Sequence, residues 1–273
     1  MPLLQTFGND SASAYGFDNP PIPIIITHGV FLATTVGSSS WSVPTGITSI
    51  LVEAWGAGGG SMGQDNTNGA SSGGAYAQST ISVSPGQTIY YNIGAGGIGS
   101  QTAGGAGGAS WINKAANSAP TVNTNGATAA GGSGAPVASP NNSTQSANSI
   151  GTTIYIGGAG GTGAEGGGGS AASPTGAGGA GAVGNGGAGG SSPSSGAGGS
   201  AGSTANAGGD GISNVQGGGG GGGSYNNAGG NGGLPGGAGG AGYSTGGTPT
   251  SGVNTNSHNY GGDGGRGQIR ITY

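Results

Sequence analysis

Cysteine is absent from the 273 residues, so no disulfide framework holds the chain and its redox compartment stays open. Basic residues are nearly absent too: Lys114, Arg266 and Arg270 are the only three, and the net charge is −4. Binding to phosphate backbones or anionic lipid needs clustered Lys and Arg, which excludes nucleic acid and an anionic membrane surface as partners. The most apolar stretch, residues 22–26, is interrupted by proline and falls far short of the roughly 18–20 residues that span a bilayer. Charged residues make up 4% and aromatics 5%, against about 25% charged in ordinary domains. The large apolar residues gather in the first third and at the extreme C-terminus, so most of the chain has little with which to fill an oily core.

What fills the space is glycine, at 76 positions. Runs such as GGAGGAS at 104–110, GGAGGTG at 157–163, GAGGAG at 176–181, GGNGG at 229–233 and GGAGGAG at 236–242 place Gly at two positions in three, with Ala, Asn, Ser or Thr at the third. A period of three is that of an extended left-handed helix with no internal hydrogen bonds. Its N–H and C=O groups must then be satisfied by neighbours. Where such helices pack side by side, a Cβ on a packed face would hold the backbones apart. A collagen rod does not fit, because proline is scarce and the phase slips at Leu234 and Pro235. A flexible linker needs no register at all. The pattern therefore predicts short packed polyglycine-II helices, mainly over 94–266, with Gly239 against a neighbour and Ala238 at an outward third position.

Around the runs lie strand signals. Ile50, Val52 and Ala54 alternate with Leu51, Glu53 and Trp55 after a Pro44–Thr45–Gly46 turn. Residues 76–83 and 88–93 read as a strand pair joined by a hairpin at Ser84, Pro85, Gly86 and Gln87, and 267–273 as a last strand. That strand is expected to pair with 49–55, with Ile269 and Ile271 sharing the buried face of Ile50 and Val52 and Arg270 opposite Glu53. No segment carries a capped 3.6-residue period. The expected fold is all-β and irregular: a small antiparallel β-sandwich (strands within 30–115 and 267–273) plus the polyglycine-II array, with essentially no α-helix. Residues 1–29 form a separate arm, which Pro20, Pro21 and Pro23 hold extended. Its Phe7, Tyr15 and Phe17 read either as part of a tail or as an anchor docking on another chain.

Residues 41–60 (WSVPTGITSILVEAWGAGGG), 73–97 (GGAYAQSTISVSPGQTIYYNIGAGG) and 261–273 (GGDGGRGQIRITY) resemble the glycine-rich domain of bacteriophage tail-fibre and adhesin proteins. The likeness covers roughly 30–273; polar inserts at 116–150 and 243–260 depart from it. It implies polyglycine-II helices bundled beside a small β-sandwich, with loops between helices meeting bacterial surface receptors, protein or glycan. It also implies a virion component assembled in the host cytoplasm, joined to other virion proteins by its arm, and a homo-oligomer, with a trimer among the options. The N-terminus lacks a basic region and an apolar core, so it does not read as a Sec signal; lysis would release a virion protein without one. Capsid-decoration, baseplate or connector proteins and an extracellular filament subunit are the alternatives. An ice-binding role is remote, because the third positions are mostly Ala rather than Thr.

Catalytic signals are lacking. GAGGIG at 94–99 matches a dinucleotide fingerprint but is followed by SQTAGGAGG, which cannot start a helix. His28 and His258 stand alone, without partners at metal spacing. The acids Asp10, Asp18, Glu53, Asp65, Glu165, Asp210 and Asp263 are scattered, which gives no acid–base pair. The reading is a non-enzyme without cofactor or metal. Candidate receptor contacts are Met62, Asp65, Tyr225, Asn226, Asn227, Tyr243, His258 and Tyr260, since Tyr and Asn offer area and hydrogen bonds at low entropy cost. Plugging the ends of the glycine array is the competing role for Tyr243 and Tyr260. Trp41, Trp55 and Trp111 are assigned to packing.

Overall fold

A computed structural model describes residues 28–63, 70–135, 145, 147–163, 165–183, 188–191, 196–202, 207–225, 228–243 and 260–273. Strands follow in the order β1 (Val30–Ala33), β2 (Gly37–Ser42), β3 (Ser49–Trp55), β4 (Tyr76–Ser82), β5 (Thr88–Ile93), β6 (Ser110–Asn113), β7 (Gly126–Ala129), β8 (Thr153–Tyr155), β9 (Ser224–Tyr225), β10 (Gly242–Tyr243) and β11 (Gln268–Thr272). Helical backbone among the described residues is confined to Gln145 and Ala147. The fold is all-β.

Two antiparallel sheets make the sandwich. One has the order β1-β11-β3-β4-β8 and the other β2-β5-β6-β7. Alternation in each strand turns Ile50, Val52, Ile81, Ile269 and Ile271 of the first sheet toward Ile89, Ile93, Ile112, Ala127 and Ala129 of the second, and all are buried in one cluster. The C-terminal strand pairs with β3 as its alternation predicts, with Ile271 opposite Val52 and Arg270 opposite Glu53. The 84–87 turn forms, with Gln87 N–H donating to Ser84 O at 3.0 Å. It does not close a hairpin, however. β4 pairs with β3 and β8, while β5 pairs with β2 and β6. Each of β4 and β5 has one apolar face, and the turn carries the chain from one sheet to the other so that these faces meet. Strands β7 and β8 arise in a stretch that is polar and glycine-bearing in sequence; β7 is simply GATA, buried throughout.

The outer face of the first sheet is covered as well. Glu53 is buried, paired with Arg270 and accepting a 2.7 Å hydrogen bond from Tyr76 Oη. Arg270 also stacks over the Trp55 ring at 5.3 Å. Trp55, Tyr76 and Ala172 form a second cluster, with Tyr155 against it. Trp55 Nε1 donates to Gln216 O and Gln268 Nε2 to Val215 O, which ties the sheet to a turn of the glycine region. Burial and the Glu53 hydrogen bond push the Tyr76 hydroxyl far above its ordinary value. The same carboxylate raises Arg270.

From β3 the chain passes directly into the array. In residues 56–61 successive backbone N–H groups take three directions in turn. Gly56 and Gly59 donate to Ala75 and Ser72, Ala57 and Gly60 to Gly108 and Gly105, and Gly58 and Ser61 to Gly265 and Gly262. The carbonyls do the same toward three other segments. Ala57 and Gly60 accept from Gly132 and Ala135, Gly58 and Ser61 from Gly97 and Ser100, and Gly59 and Met62 from Gly239 and Gly242. Six neighbours thus surround one helix, with a three-residue repeat, which is polyglycine-II packing. Residues 217–224 form a second such centre, bonded to segments at 235–241, 209–212, 190, 168–171, 199–202 and 230–233. This explains why 217–223 carries no side chain at all: a methyl at Gly220 would fall on the Gly168 carbonyl oxygen, and one at Gly221 on that of Gly230.

Segment 236–242 is likewise enclosed. A methyl at Gly239 would strike Gly262 O, as its sequence position predicts. Ala238, expected to face outward, is instead fully buried, as is Ala241. Inner helices admit a methyl at the third position; only rim helices turn that position to solvent, as Ala103, Ala106 and Ala109 do. Several buried polar side chains inside the array bond to its backbone. Ser71 Oγ donates to Gly59 O at 2.7 Å and Ser61 Oγ to Gly239 O at 2.6 Å. Gln145 acts as a stand-in peptide, donating to Gly73 O and accepting from Gly157 N–H.

Candidate functional site

The chain runs out from the sandwich and back repeatedly, so the array has a near end and a far end. At the near end lie turns around 174–175, 214–216 and 234–236, next to Trp55 and Gln268. At the far end, Gly63 donates to Ser100 O, Gly242 to Met62 O, Gly261 to Ser100 O and Ala70 to Gly161 O. β9 and β10 pair there in parallel, Tyr225 beside Tyr243. Residues 63 and 70, 163 and 165, 202 and 207, 225 and 228, and 243 and 260 are the far-end boundaries of connecting segments. These five stretches therefore start and finish on one surface, whereas Gly196 lies against Gly217 at the near end.

Several of the candidate contact residues gather at this end. The Tyr225 and Tyr243 backbones are fixed side by side; their side chains lie outside the described residues. Tyr260 is 47% exposed, which fits a presented ring rather than a plug. Met62 lies deeper than Tyr260. It sits at the far end in a bridge with Ser100, but only 5% of it is exposed, so its side chain packs beneath the surface. Asp65, Asn226, Asn227 and His258 fall outside the described residues, as do Phe7, Tyr15 and Phe17 of the arm. Glu165, unremarkable in sequence, is buried at the same end beside Gly223.

One lateral face carries a feature the sequence reading missed. Helices 94–100, 260–267, 228–234 and 207–213 lie in a row. Across it, Gly99 N–H donates to Asp263 Oδ1, Asp263 N–H to Asn231 Oδ1 and Asn231 N–H to Asp210 Oδ1, at 2.6, 2.9 and 2.6 Å. Leu234 N–H donates to Ser213 Oγ in the same manner. Outward N–H groups that have no further helix to meet are capped by the outward side chain next door. The signal was present as the rare Asn and Asp at third positions, in GGN and GGD triplets.

Among the described residues no cluster of three or more His, Cys, Asp or Glu is placed to hold a metal, and no helix is long and apolar enough to cross a membrane. The one ion pair among the described residues, Glu53–Arg270, is covered by Trp55 and Tyr76 and serves packing. What the site offers is a surface of helix ends, among which Tyr260 is exposed.

A sandwich leading into a polyglycine-II array defines an all-β, glycine-rich fold. The chain belongs to the glycine-rich domain family, whose model matches residues 34–273. No curated protein matches the chain.

Proposed function

We propose that this chain is a structural protein of a bacteriophage particle, a tail-fibre or adhesin component that attaches through residues 1–29 and recognises the host surface through the far-end loops. The observation carrying this reading is the opposition of its two poles. β1 runs parallel to β3, because each pairs antiparallel with β11. Val30 stands opposite Thr272, which stands opposite Leu51. The arm therefore joins the domain at the end of the sandwich remote from the array, while five of the connecting stretches start and finish at the array's far end. Attachment and recognition can then proceed without competing for surface. The partners are other virion proteins and a bacterial surface receptor, protein or glycan; the chain acts without cofactor, is not an enzyme, and works in the particle after assembly in the host cytoplasm. A connector without receptor binding is the second reading, since two opposed poles also suit joining two particle proteins.

Replacing 244–259 by a Gly/Ser linker of equal length separates them. The labelled full chain and this variant are applied to a panel of intact bacteria and to isolated envelope glycans. Binding by the parent to some cells, lost in the variant at unchanged melting temperature, supports the adhesin. Equal behaviour of the two proteins on every surface favours the connector.

A further inference from the structure

Where the sandwich meets the near-end turns, a groove of about 280 Å³ opens between Leu32 and Thr34 on one side and Val215, Leu234 and Pro235 on the other, with Arg266 in its wall. Leu32 is 45% and Val215 60% exposed, so apolar surface remains uncovered there. Among the described residues β1 is the edge strand of its sheet, with one side unpaired, and such edges invite a further chain segment. Arg266 gives one hydrogen bond, to Gly267 O, and has no carboxylate partner among the described residues. Partial burial lowers its pKa, in contrast to Arg270, which has Glu53. A half-buried guanidinium in an apolar groove calls for an anion flanked by apolar side chains.

The same chain contains such a segment. Residues 1–27 include no Lys or Arg, and they place Tyr15 and Phe17 directly before Asp18. We infer that the Tyr15–Gly16–Phe17–Asp18 stretch of a second copy of this chain docks in the groove, with Phe17 on Leu32 and Val215 and Asp18 on Arg266. This inference rests on the reading of residues 1–29 as an attachment arm and names its receiving site. A second copy is favoured over the same copy by the connection. Gly29 is pinned to Tyr273 by two backbone hydrogen bonds of 2.8 and 3.0 Å, and a side chain there would strike the Tyr273 ring, so it is no free hinge. The groove lies at the opposite end of β1 from Gly29, about 10 Å back along the strand. Between Asp18 and His28 come nine residues with prolines at 20, 21 and 23, a spacer of roughly 28–30 Å when extended. Docking in its own groove would require the chain to reverse directly before Gly29, which the pinned Gly29 and the three prolines disfavour.

The absence of cysteine makes the test direct. Full-length Phe17→Cys and Val215→Cys chains are prepared separately, mixed and oxidised. A disulfide-linked species of twice the chain mass is expected, and adding Asp18→Arg to the Phe17→Cys chain should lower its yield about tenfold. Arg266→Glu in the partner should restore it. Because Asp18 lies in the arm, its substitution cannot be confused with unfolding of the domain, and melting temperatures check Arg266→Glu. No mixed disulfide, or an intramolecular one only in a Phe17→Cys/Val215→Cys double variant, overturns the inference. Incorporation of a chain lacking 1–27 into particles is measured alongside: if incorporation is lost yet no mixed disulfide forms, the arm attaches elsewhere, and only this inference fails.

Discussion

Ile112 in the sandwich and Gly220 in the array are both interior residues, yet they are interior for opposite reasons. Ile112 is surrounded by side chains of both sheets and contributes by leaving water, an effect of roughly 1.5–3 kcal/mol for such a residue. Gly220 has no side chain, and what surrounds it are peptide groups of segments at 168–169, 190 and 199. It contributes by letting them approach. Each backbone hydrogen bond so gained is worth about 0.5–1.5 kcal/mol net, close to the entropy lost in ordering a residue. The array therefore has little stability to spare and leans on the sandwich to hold its segments in register. In the sandwich a missing atom is the damage; in the array an added one is.

Breaking the shared element should have the largest effect. β11 lies between β1 and β3, and 260–267 leads into it from the array. Deleting 268–273 is expected to remove protection from amide exchange throughout both regions; glycine segments that kept slow exchange would show the array to be self-sufficient. Next comes Gly220→Val, which should cost at least about 3 kcal/mol by displacing the Gly168 carbonyl. The matching addition in the sandwich, Ala127→Val, should cost less, because side chains there can shift where backbones cannot. Thermal melts of the two variants decide the order.

Smaller still is the contrast between Ala238→Val and Ala106→Val. Both occupy the third position of a GGA triplet, but Ala238 is fully buried and Ala106 is exposed. The first should cost about 1–3 kcal/mol and the second no more than about 0.5; equal melting temperatures would mean that enclosure does not distinguish inner from rim helices. Smallest is Asp210→Ala, which removes one cap from the lateral row and leaves the Asn231 N–H to water. About 0.5–1 kcal/mol is expected, read as faster exchange at Asn231 ahead of any change in melting.

Much of this fold was legible because its two chemistries write differently in sequence. The alternation in 49–55 and 268–272 located paired strands, down to Arg270 facing Glu53, since one face had to be apolar. The GGx period located the helices, since only that spacing permits three-way packing. Local pattern did not tell which helix lies inside. GGAGGAS at 104–110 and GGAGGAG at 236–242 are nearly the same, and their different burial is set by what the rest of the chain brings around them. For the same reason the 84–87 turn looked like a hairpin: a turn states that the chain reverses, not which sheet it rejoins. β7 was invisible because GATA is buried by its neighbours rather than by its own size. At the candidate site, tyrosine and asparagine positions between glycine runs pointed to helix ends, but Met62 shows that a position near an end need not be at the surface.

The central placement of residues 56–63 also sets a clock. This helix is made early, yet its neighbours include segments ending at Gly262 and Gly265, some 200 residues later in translation. At about 5–20 residues per second, the first helix waits on the order of 10–40 seconds for its last partner. Until then its donors toward that side face water, and closing so long a loop carries an entropic cost that no local contact offsets. Ribosome-bound nascent chains should therefore gain the array's protection in a single late step, once the C-terminal strand has cleared the exit tunnel, and not helix by helix.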